Sequence, residues 1–257
     1  FWLLPYYFRN WIIIDSFLYL SPNHNIMLSV EDYLSGQVLL IDKPLHWTSF
    51  QVVNKLRYEI KKTFNLKKIK VGHAGTLDPL ATGLLVICTG KMTKQIDSFQ
   101  GQIKEYTGTL VLGSTTPSFD LETGINESFS TSHITQDLIH QTTKQFIGEI
   151  AQVPPVFSAL KQDGKRLYQF ARAGEEVEIK SRNVTIQEFE ITKIEELNVE
   201  FRIVCSKGTY IRSIANDFGK ALQSGAHLSA LRRTKIGHFN VNTAETVDDF
   251  LKNLASE

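Results

Sequence analysis

GHAGTLDPLATGLL, residues Gly72–Leu85, sets three glycines, a histidine and an aspartate ahead of a run that turns abruptly apolar. The continuation LLVICTG (Leu84–Gly90) is a continuous apolar stretch with a glycine stop and reads as a buried strand. In the loop before it, glycines at 72, 75 and 83 let the backbone turn tightly and a ligand come close. Pro79 biases Asp78 toward an extended conformation that presents its carboxylate outward. A turn aspartate commonly does no more than cap backbone amides. Asp78 becomes a functional candidate only where other groups converge on it.

The flanking segments describe what this loop is built into. GQVLLIDKP (Gly36–Pro44) reads as a short buried strand ended by a turn. TSFQVVNKLRYEIKK reads as a helix, with Thr48 and Gln51 at capping-box spacing and Val52, Val53, Leu56 and Ile60 at helical intervals. IKEYTGTLVLG (Ile103–Gly113) alternates, with Tyr106, Gly108, Leu110 and Leu112 on one face. NVEFRIVCSKG alternates more cleanly: Val199, Phe201, Ile203 and Cys205 point inward, Glu200 and Arg202 outward. TYIRSIANDFGKALQSG reads as a helix with Ile211, Ile214, Ala215, Phe218 and Leu222 inward and Gly225 as its stop. Further helices are expected over Gln136–Phe146 and Val247–Leu254. Strands and helices mix without a regular βαβ rhythm, and adjacent alternating strands suit antiparallel pairing. The fold class expected is therefore α+β on a large mixed sheet. QVPPVFSALKQDGKRLYQFARAGEEV (Gln152–Val177), with paired prolines and mixed basic and aromatic residues, fits a sheet poorly and reads as a protruding insertion.

The totals bound the partners. The chain has 257 residues, 42% of them hydrophobic and 21% charged, enough for one large domain with a substantial core. A net charge of +1 argues neither for nor against a polyanionic partner, so local charge decides. Cys88 and Cys205 lie far apart in apolar runs, outside any CxxC or Cys/His cluster. That argues against a disulfide framework or zinc site and favours buried reduced thiols in a cytoplasmic setting. Residues 1–26 are crowded with aromatics, too interrupted by Asp15 for a membrane span and without a cleavage pattern for a signal peptide. The first methionine is Met27. The expected organisation is an N-terminal extension over 1–35, with the native start at Met27, then one catalytic domain over 36–257.

Local charge is more telling. Lys61, Lys62, Lys67, Lys68 and Lys70 precede the glycine loop; Lys161, Lys165, Arg166 and Arg172 mark the insertion, interleaved with Tyr168 and Phe170; Arg232, Arg233 and Lys235 follow the last long helix. Each run alone suits a solvated face. Three runs bracketing one candidate loop suit a nucleic-acid surface that uses phosphate contacts and stacking. Arg212, in the first turn of its helix, would hold Asp78 ionised if the two met.

DKP (Asp42–Pro44), GHAGTLDPLATGLLVICTGKMTK, KEYTGTLVLG, PPVFSALKQDGKRLYQFAR, and CSKGTYIRSIANDFG with GAHLSALRRTKIG occur in that order. Together they resemble the motifs of the TruB family of tRNA pseudouridine synthases, which isomerise uridine 55 of the T loop. The resemblance covers roughly Gly36 to Gly237. It implies a pseudouridine synthase fold, no cofactor and no metal. Asp78 matches the catalytic aspartate, Tyr106 the tyrosine that packs on the uracil, and Arg212 the arginine that pairs with the aspartate. His73 matches a histidine that contacts the RNA and helps flip the target, and Leu231 the apolar wall of the base pocket. Lys43 and Pro44 match a motif that supports the site; Lys43 is counted with His73, Leu231 and Asp120 among the substrate-binding residues. In two places the chain departs from the pattern. His46 stands where the family commonly has glycine, and GSTTPSFDLETG lacks the usual acidic start, leaving Asp120 as its later acidic position.

The resemblance further implies an enzyme that takes the T-arm stem-loop of tRNA as its partner. It would act as a cytoplasmic monomer without membrane or obligatory protein partner, in a short form without the C-terminal RNA-binding domain of many bacterial relatives. Two other readings stand beside it: a synthase acting on another RNA or through a guide RNA, and a non-catalytic RNA-binding module.

Overall fold

A computed structural model describes residues 11–14, 17–20, 28–158, 160–162, 164–175 and 177–255. Met27, most of the segment before it, and the side chains of Lys161 and Arg172 lie outside the described residues.

The strands of the main sheet are β1 Val38–Lys43, β2 Val71–His73, β3 Ala81–Thr89, β4 Lys104–Leu112 and β5 Gly148–Gln152, then β6 Arg182–Glu195, β7 Asn198–Cys205, β8 Ala226–Ile236, β9 Phe239–Asn240 and β10 Glu245–Thr246. Their spatial order is β10-β1-β3-β8-β4-β7-β6-β5, with β2 added on β3 and β9 on β8. Only β10–β1 and β3–β8 run parallel. The helices are α1 Val30–Ser35, α2 Ser49–Thr63, α3 Ile96–Gly101, α4 Gln136–Thr143, α5 Leu167–Ala173, α6 Ile211–Ala221 and α7 Val247–Ala255. The result is the expected α+β arrangement, a large mixed and mostly antiparallel sheet flanked by helices.

The unbroken apolar run of β3 has a physical cause: this strand is covered on both faces. Leu85 and Ile87 join the cluster of α2 and α7, while Leu84, Val86 and Cys88 join Phe99, Ile236 and Phe239 on the other side. At the far end of the sheet, β7 puts Val199, Phe201, Ile203 and Cys205 under α6, which returns Ile214, Ala215 and Phe218. Helix α2 starts at the capping box read from the sequence, with the Thr48 hydroxyl accepting from Gln51 N and the Gln51 side chain accepting from Thr48 N. Tyr33 of α1 is buried with the α2 cluster.

The structure corrects the sequence reading in three places. Helix α6 does not run to Gly225; it ends at Ala221, and Gln223 takes the left-handed turn at φ 52°. The absent Cβ of Gly225 instead makes room for the Phe129 ring, which would stand 2.5 Å away. Two long strands, β6 and β8, went unread; in β6 the alternation of Val184 and Ile186 changes phase before Phe189 and Ile191, at a register shift between Ile186 and Glu188. β8 carries Arg232, Arg233 and Lys235, so the third basic run lies in the middle of a sheet rather than on a free face. After Gln152, the last residue of β5, the chain leaves the main sheet: among the described residues Lys161–Gln162 pairs only with Lys165–Arg166, and α5 follows.

Gly83 shows how tightly β3 and β8 approach. Its φ is 100°, and an added Cβ would stand 2.3 Å from the Arg233 carbonyl oxygen. Gly148, at φ 95°, has open space around it. Gly83→Ala should therefore cost roughly 2–5 kcal/mol, combining left-handed strain with overpacking, and Gly148→Ala only about 1–2 kcal/mol. Urea unfolding of both variants checks this; equal losses would mean that the sheet relaxes around residue 83.

Candidate active site

Asp78 lies between β2 and β3, in a loop held from below. Ser49, the first residue of α2, accepts from Leu77 N at 2.8 Å and donates to Leu77 O at 3.1 Å. Both groups are buried, so this two-way bond fixes the residue preceding Asp78. His46 N donates to Pro79 O at 2.8 Å, and Ala81 N to Asp78 O at 3.1 Å. His46 reaches that position with φ 66°, the left-handed conformation that glycine adopts most cheaply. His46 therefore carries left-handed backbone strain at that turn. The Lys43 ammonium closes the same turn by donating to Pro44 O at 2.9 Å and Trp47 O at 2.6 Å.

Arg212 arrives from the opposite side. Gln152 and Tyr210 exchange two hydrogen bonds, Tyr210 N to the Gln152 amide oxygen at 2.8 Å and the Gln152 amide nitrogen to Tyr210 O at 3.1 Å. Ser213 Oγ donates to Val153 O at 2.8 Å. These contacts bolt the start of α6 to the root of the insertion. The buried Arg212 guanidinium then places Nε 2.9 Å from Asp78 Oδ2 and 3.5 Å from Asp120 Oδ2. Its other nitrogens donate to Ser118 O at 3.1 Å and Phe157 O at 2.8 Å. Asp120 is held by accepting from Glu122 N at 3.0 Å, and Phe119 before it sits at φ 64°. Such backbone strain in a bulky residue clusters at functional sites.

Above Asp78 opens a cleft walled by Tyr106, Leu231, Arg212, Lys104, Ser158 and Arg182, among others. A smaller recess beside it joins Asp78 and Asp120 to Leu228, Ala230 and Leu231. Leu231 is brought there by the parallel pairing of β8 with Ala81, the residue three beyond Asp78. Arg233, opposite Tyr106 in the ladder, is 1% exposed and donates to Leu84 O at 2.8 Å and Gly75 O at 3.0 Å. It therefore holds the glycine loop from behind.

These placements set the electrostatics. Burial is the largest influence and raises the pKa of Asp78 above its ordinary carboxylate value; Arg212 pulls it back down, Asp120 adds to the rise and Lys43 opposes it. The side chain is still 37% exposed to the cleft, so desolvation is partial until a base fills the space. Burial holds Tyr106 above the usual phenol range, so it stays a neutral phenol. Burial and Arg233 hold His73 below the usual imidazole value, so it is neutral near pH 7. Burial brings Lys43 down to about 8, against the pull of Asp78. Burial likewise raises the thiols of Cys88 and Cys205, to about 12 and about 11, which makes both inert.

The structure brings Asp78, Arg212, Tyr106, Leu231 and Asp120 to one place. Lys43 is a correction: it is fully buried and lies beneath the loop, so it supports the turn and cannot touch a substrate. His73 sits at the end of β2, half-buried. Arg233 is a second correction to the expected phosphate contacts. Arg233 is enclosed, and Arg232 forms a bidentate pair with Asp42 at 3.0 and 2.6 Å. Lys235 pairs with Glu105 at 3.1 Å. Ser49, Gln152 and the inward role of Arg233 went unread. Only Arg233 left a signal, a cation flanked by Leu231 and Ile236 in what proves to be a strand.

The family model described as TruB family pseudouridylate synthase (N terminal domain) matches residues 61–211. The model described as tRNA pseudouridylate synthase B C-terminal domain matches 212–257. The chain is 63% identical to tRNA pseudouridine synthase B of Flavobacterium johnsoniae over 228 residues, 88% of this chain and 100% of that protein. This chain belongs to the TruB family.

A second TruB relative, tRNA pseudouridine synthase B of Parabacteroides distasonis, is 54% identical over 86% of this chain and 95% of its own. Among solved structures, one titled Crystal Structure of a Cbf5-Nop10-Gar1 Complex matches with a TM-score of 0.64 and 33% identity, covering 86% of this chain but 54% of that one. This TruB chain is thus an enzyme of the pseudouridine synthase fold, an isomerase. The residues matched by the TruB C-terminal model supply Arg212, α6 and the central strand β8, so here they complete the catalytic sheet.

Removing Arg212 removes the main downward pull on the Asp78 pKa, which burial already raises. In Arg212→Ala, Asp78 should hold its proton to higher pH, and the acidic limb of the kcat/KM profile should move up by about one pH unit or more. The loss should be deepest at low pH. A profile parallel to that of the wild type would mean that the pair does not govern ionisation.

Proposed function

We propose that this enzyme isomerises uridine 55 in the T loop of tRNA to pseudouridine, with Asp78 as the essential carboxylate. The observation that carries the reading is an aspartate paired at 2.9 Å with a buried arginine, at the floor of a cleft walled by a neutral tyrosine and a leucine. The reaction breaks the N1–C1′ bond and joins C5 to C1′; the C5 proton is lost and N1 gains one, so composition is unchanged and no cofactor is needed. It needs one carboxylate, a pocket that retains a free uracil, and exclusion of water.

Asp78 serves as nucleophile at C1′, as base in an elimination at C2′ that forms a glycal, or as nucleophile at C6; all three require it ionised and aimed. Arg212 does both. Tyr106 supplies a face on which the uracil stacks while it turns, and Leu231 the apolar wall. Asp120 shares the guanidinium, keeping it turned toward the floor of the cleft. The target base must leave its stack, at a cost of a few kcal/mol. His73, neutral at the end of β2, takes the vacated space, and Lys43 steadies the turn beneath. The insertion brings exposed Lys165 and Arg166 to the RNA, with Lys165 Nζ 5.5 Å from the Phe170 ring centre. Lys207, exposed on the turn before α6, adds a further cation on the cleft wall. The T-arm stem-loop is the partner, met by a monomer in the cytoplasm without an obligatory protein. Among the described residues no helix is long and apolar enough to cross a membrane.

Asp78→Asn should abolish turnover yet leave tRNA affinity largely intact, because phosphate contacts supply most of that affinity. Tritium release from tRNA labelled at uridine C5, set beside a binding titration, separates the two; activity within tenfold of wild type would remove Asp78 from the chemistry.

An isolated T-arm hairpin should be modified nearly as well as whole tRNA, because RNA loops are recognised by shape and splayed bases that a hairpin retains. The comparison is made at one salt concentration to hold the electrostatic contribution fixed. A hairpin more than a hundredfold worse in kcat/KM would place essential contacts elsewhere on the tRNA.

A further inference from the structure

Buried polar atoms almost always find a hydrogen-bond partner, and one left without is destabilising. Among the described residues, the buried side-chain atoms without one are His73 Nδ1, Gln102 Oε1, Ser158 Oγ, Arg182 Nε and Arg212 Nε. Arg212 Nε is accounted for by the carboxylates it faces. Ser158 is not. It is 4% exposed, and it lines the same cleft as Asp78, Tyr106 and Arg212.

Its position is fixed by its backbone. Ser158 N donates to Val156 O at 2.9 Å, and Tyr168 N donates to Ser158 O at 3.1 Å. The preceding carbonyl, Phe157 O, accepts from Arg212 at 2.8 Å, so the arginine that holds Asp78 also sets the chain carrying Ser158. A serine hydroxyl placed this firmly, with its own bond unmade, is suited to a partner that arrives with the substrate.

We propose that Ser158 Oγ donates a hydrogen bond to an oxygen of the nucleotide in the cleft and so holds that nucleotide in register with Asp78. The proposal rests on the reading of the cleft as a uridine site. RNA next to the reacting carbon presents mainly acceptor oxygens, on phosphate, ribose and the uracil carbonyls, and a hydroxyl is a donor that needs no charge. A contact to the sugar–phosphate is kept throughout the reaction, so its loss raises KM with kcat little changed. A contact to a uracil carbonyl changes as the ring turns, so its loss lowers kcat.

The experiment compares wild type with Ser158→Ala, which removes the hydroxyl, and Ser158→Cys, which keeps the shape with a much weaker donor. Melting temperature, kcat and KM are measured on the T-arm hairpin. Expected is a kcat/KM about tenfold lower in both variants, equivalent to about 1.4 kcal/mol. The melting temperature should be unchanged or raised, since no internal bond is lost. Turnover within twofold of wild type in both overturns the proposal, as does a loss of activity in step with a lowered melting temperature, which would mark a hydroxyl bonded inside the protein. Wild-type turnover at wild-type rates by Ser158→Cys overturns it too, by assigning the effect to shape. A wild-type enzyme that modifies neither the hairpin nor whole tRNA overturns the uridine reading itself, and this proposal with it.

Discussion

One buried guanidinium organises the catalytic half of this molecule. Arg212 sits against Asp78 and Asp120 and donates to the carbonyls of Ser118 and Phe157. Taking such a cation out of water is costly unless it is paired and bonded on every side. The segments that satisfy it are therefore held to it: the Asp78 loop, the strained turn around Phe119, and the start of the insertion. Distant stretches of chain meet at a single charge. That explains how a loop rich in glycine can present a carboxylate in one fixed direction.

A second layer of buried cations backs the first. Arg233 ties Leu84 O to Gly75 O, and Lys43 ties Pro44 O to Trp47 O. Both side chains bond only backbone carbonyls in these contacts, so both act as braces with a charge. Arg233 also holds His73 in its neutral form and opposes the upward push on Tyr106. Lys43 pulls Asp78 toward its anion against the desolvation that opposes it, and is itself fully buried. The exposed cations lie instead at Lys165, Arg166 and, in the turn before α6, Lys207.

Much of the fold was legible because its elements follow periodicities that burial enforces. The alternation of Asn198–Cys205, the capping box at Thr48 and the apolar run of Ala81–Thr89 each produced an element close to its expected place. β8 was not legible, because its inward positions include Arg233, and a buried cation reads as a surface residue until the carbonyls that bond it are known. The end of α6 was misread for a related reason. Gly225 suits a helix stop, but the left-handed residue is Gln223, and Gly225 is small to admit Phe129.

By itself the sequence determined the fold class, the family motifs and the loop that carries Asp78, since these depend on local pattern and on residue types at short spacing. Convergence was decided only by the tertiary structure. Asp78, Tyr106, Asp120, Arg212 and Leu231 are scattered along the chain, and their meeting depends on the parallel pairing of β3 with β8 and on the docking of α6 against Gln152. The same packing turned Lys43 and Arg233 inward, onto backbone carbonyls. A cation's partner is whichever oxygen the fold sets within about 3 Å of it, and no spacing along the chain encodes that distance.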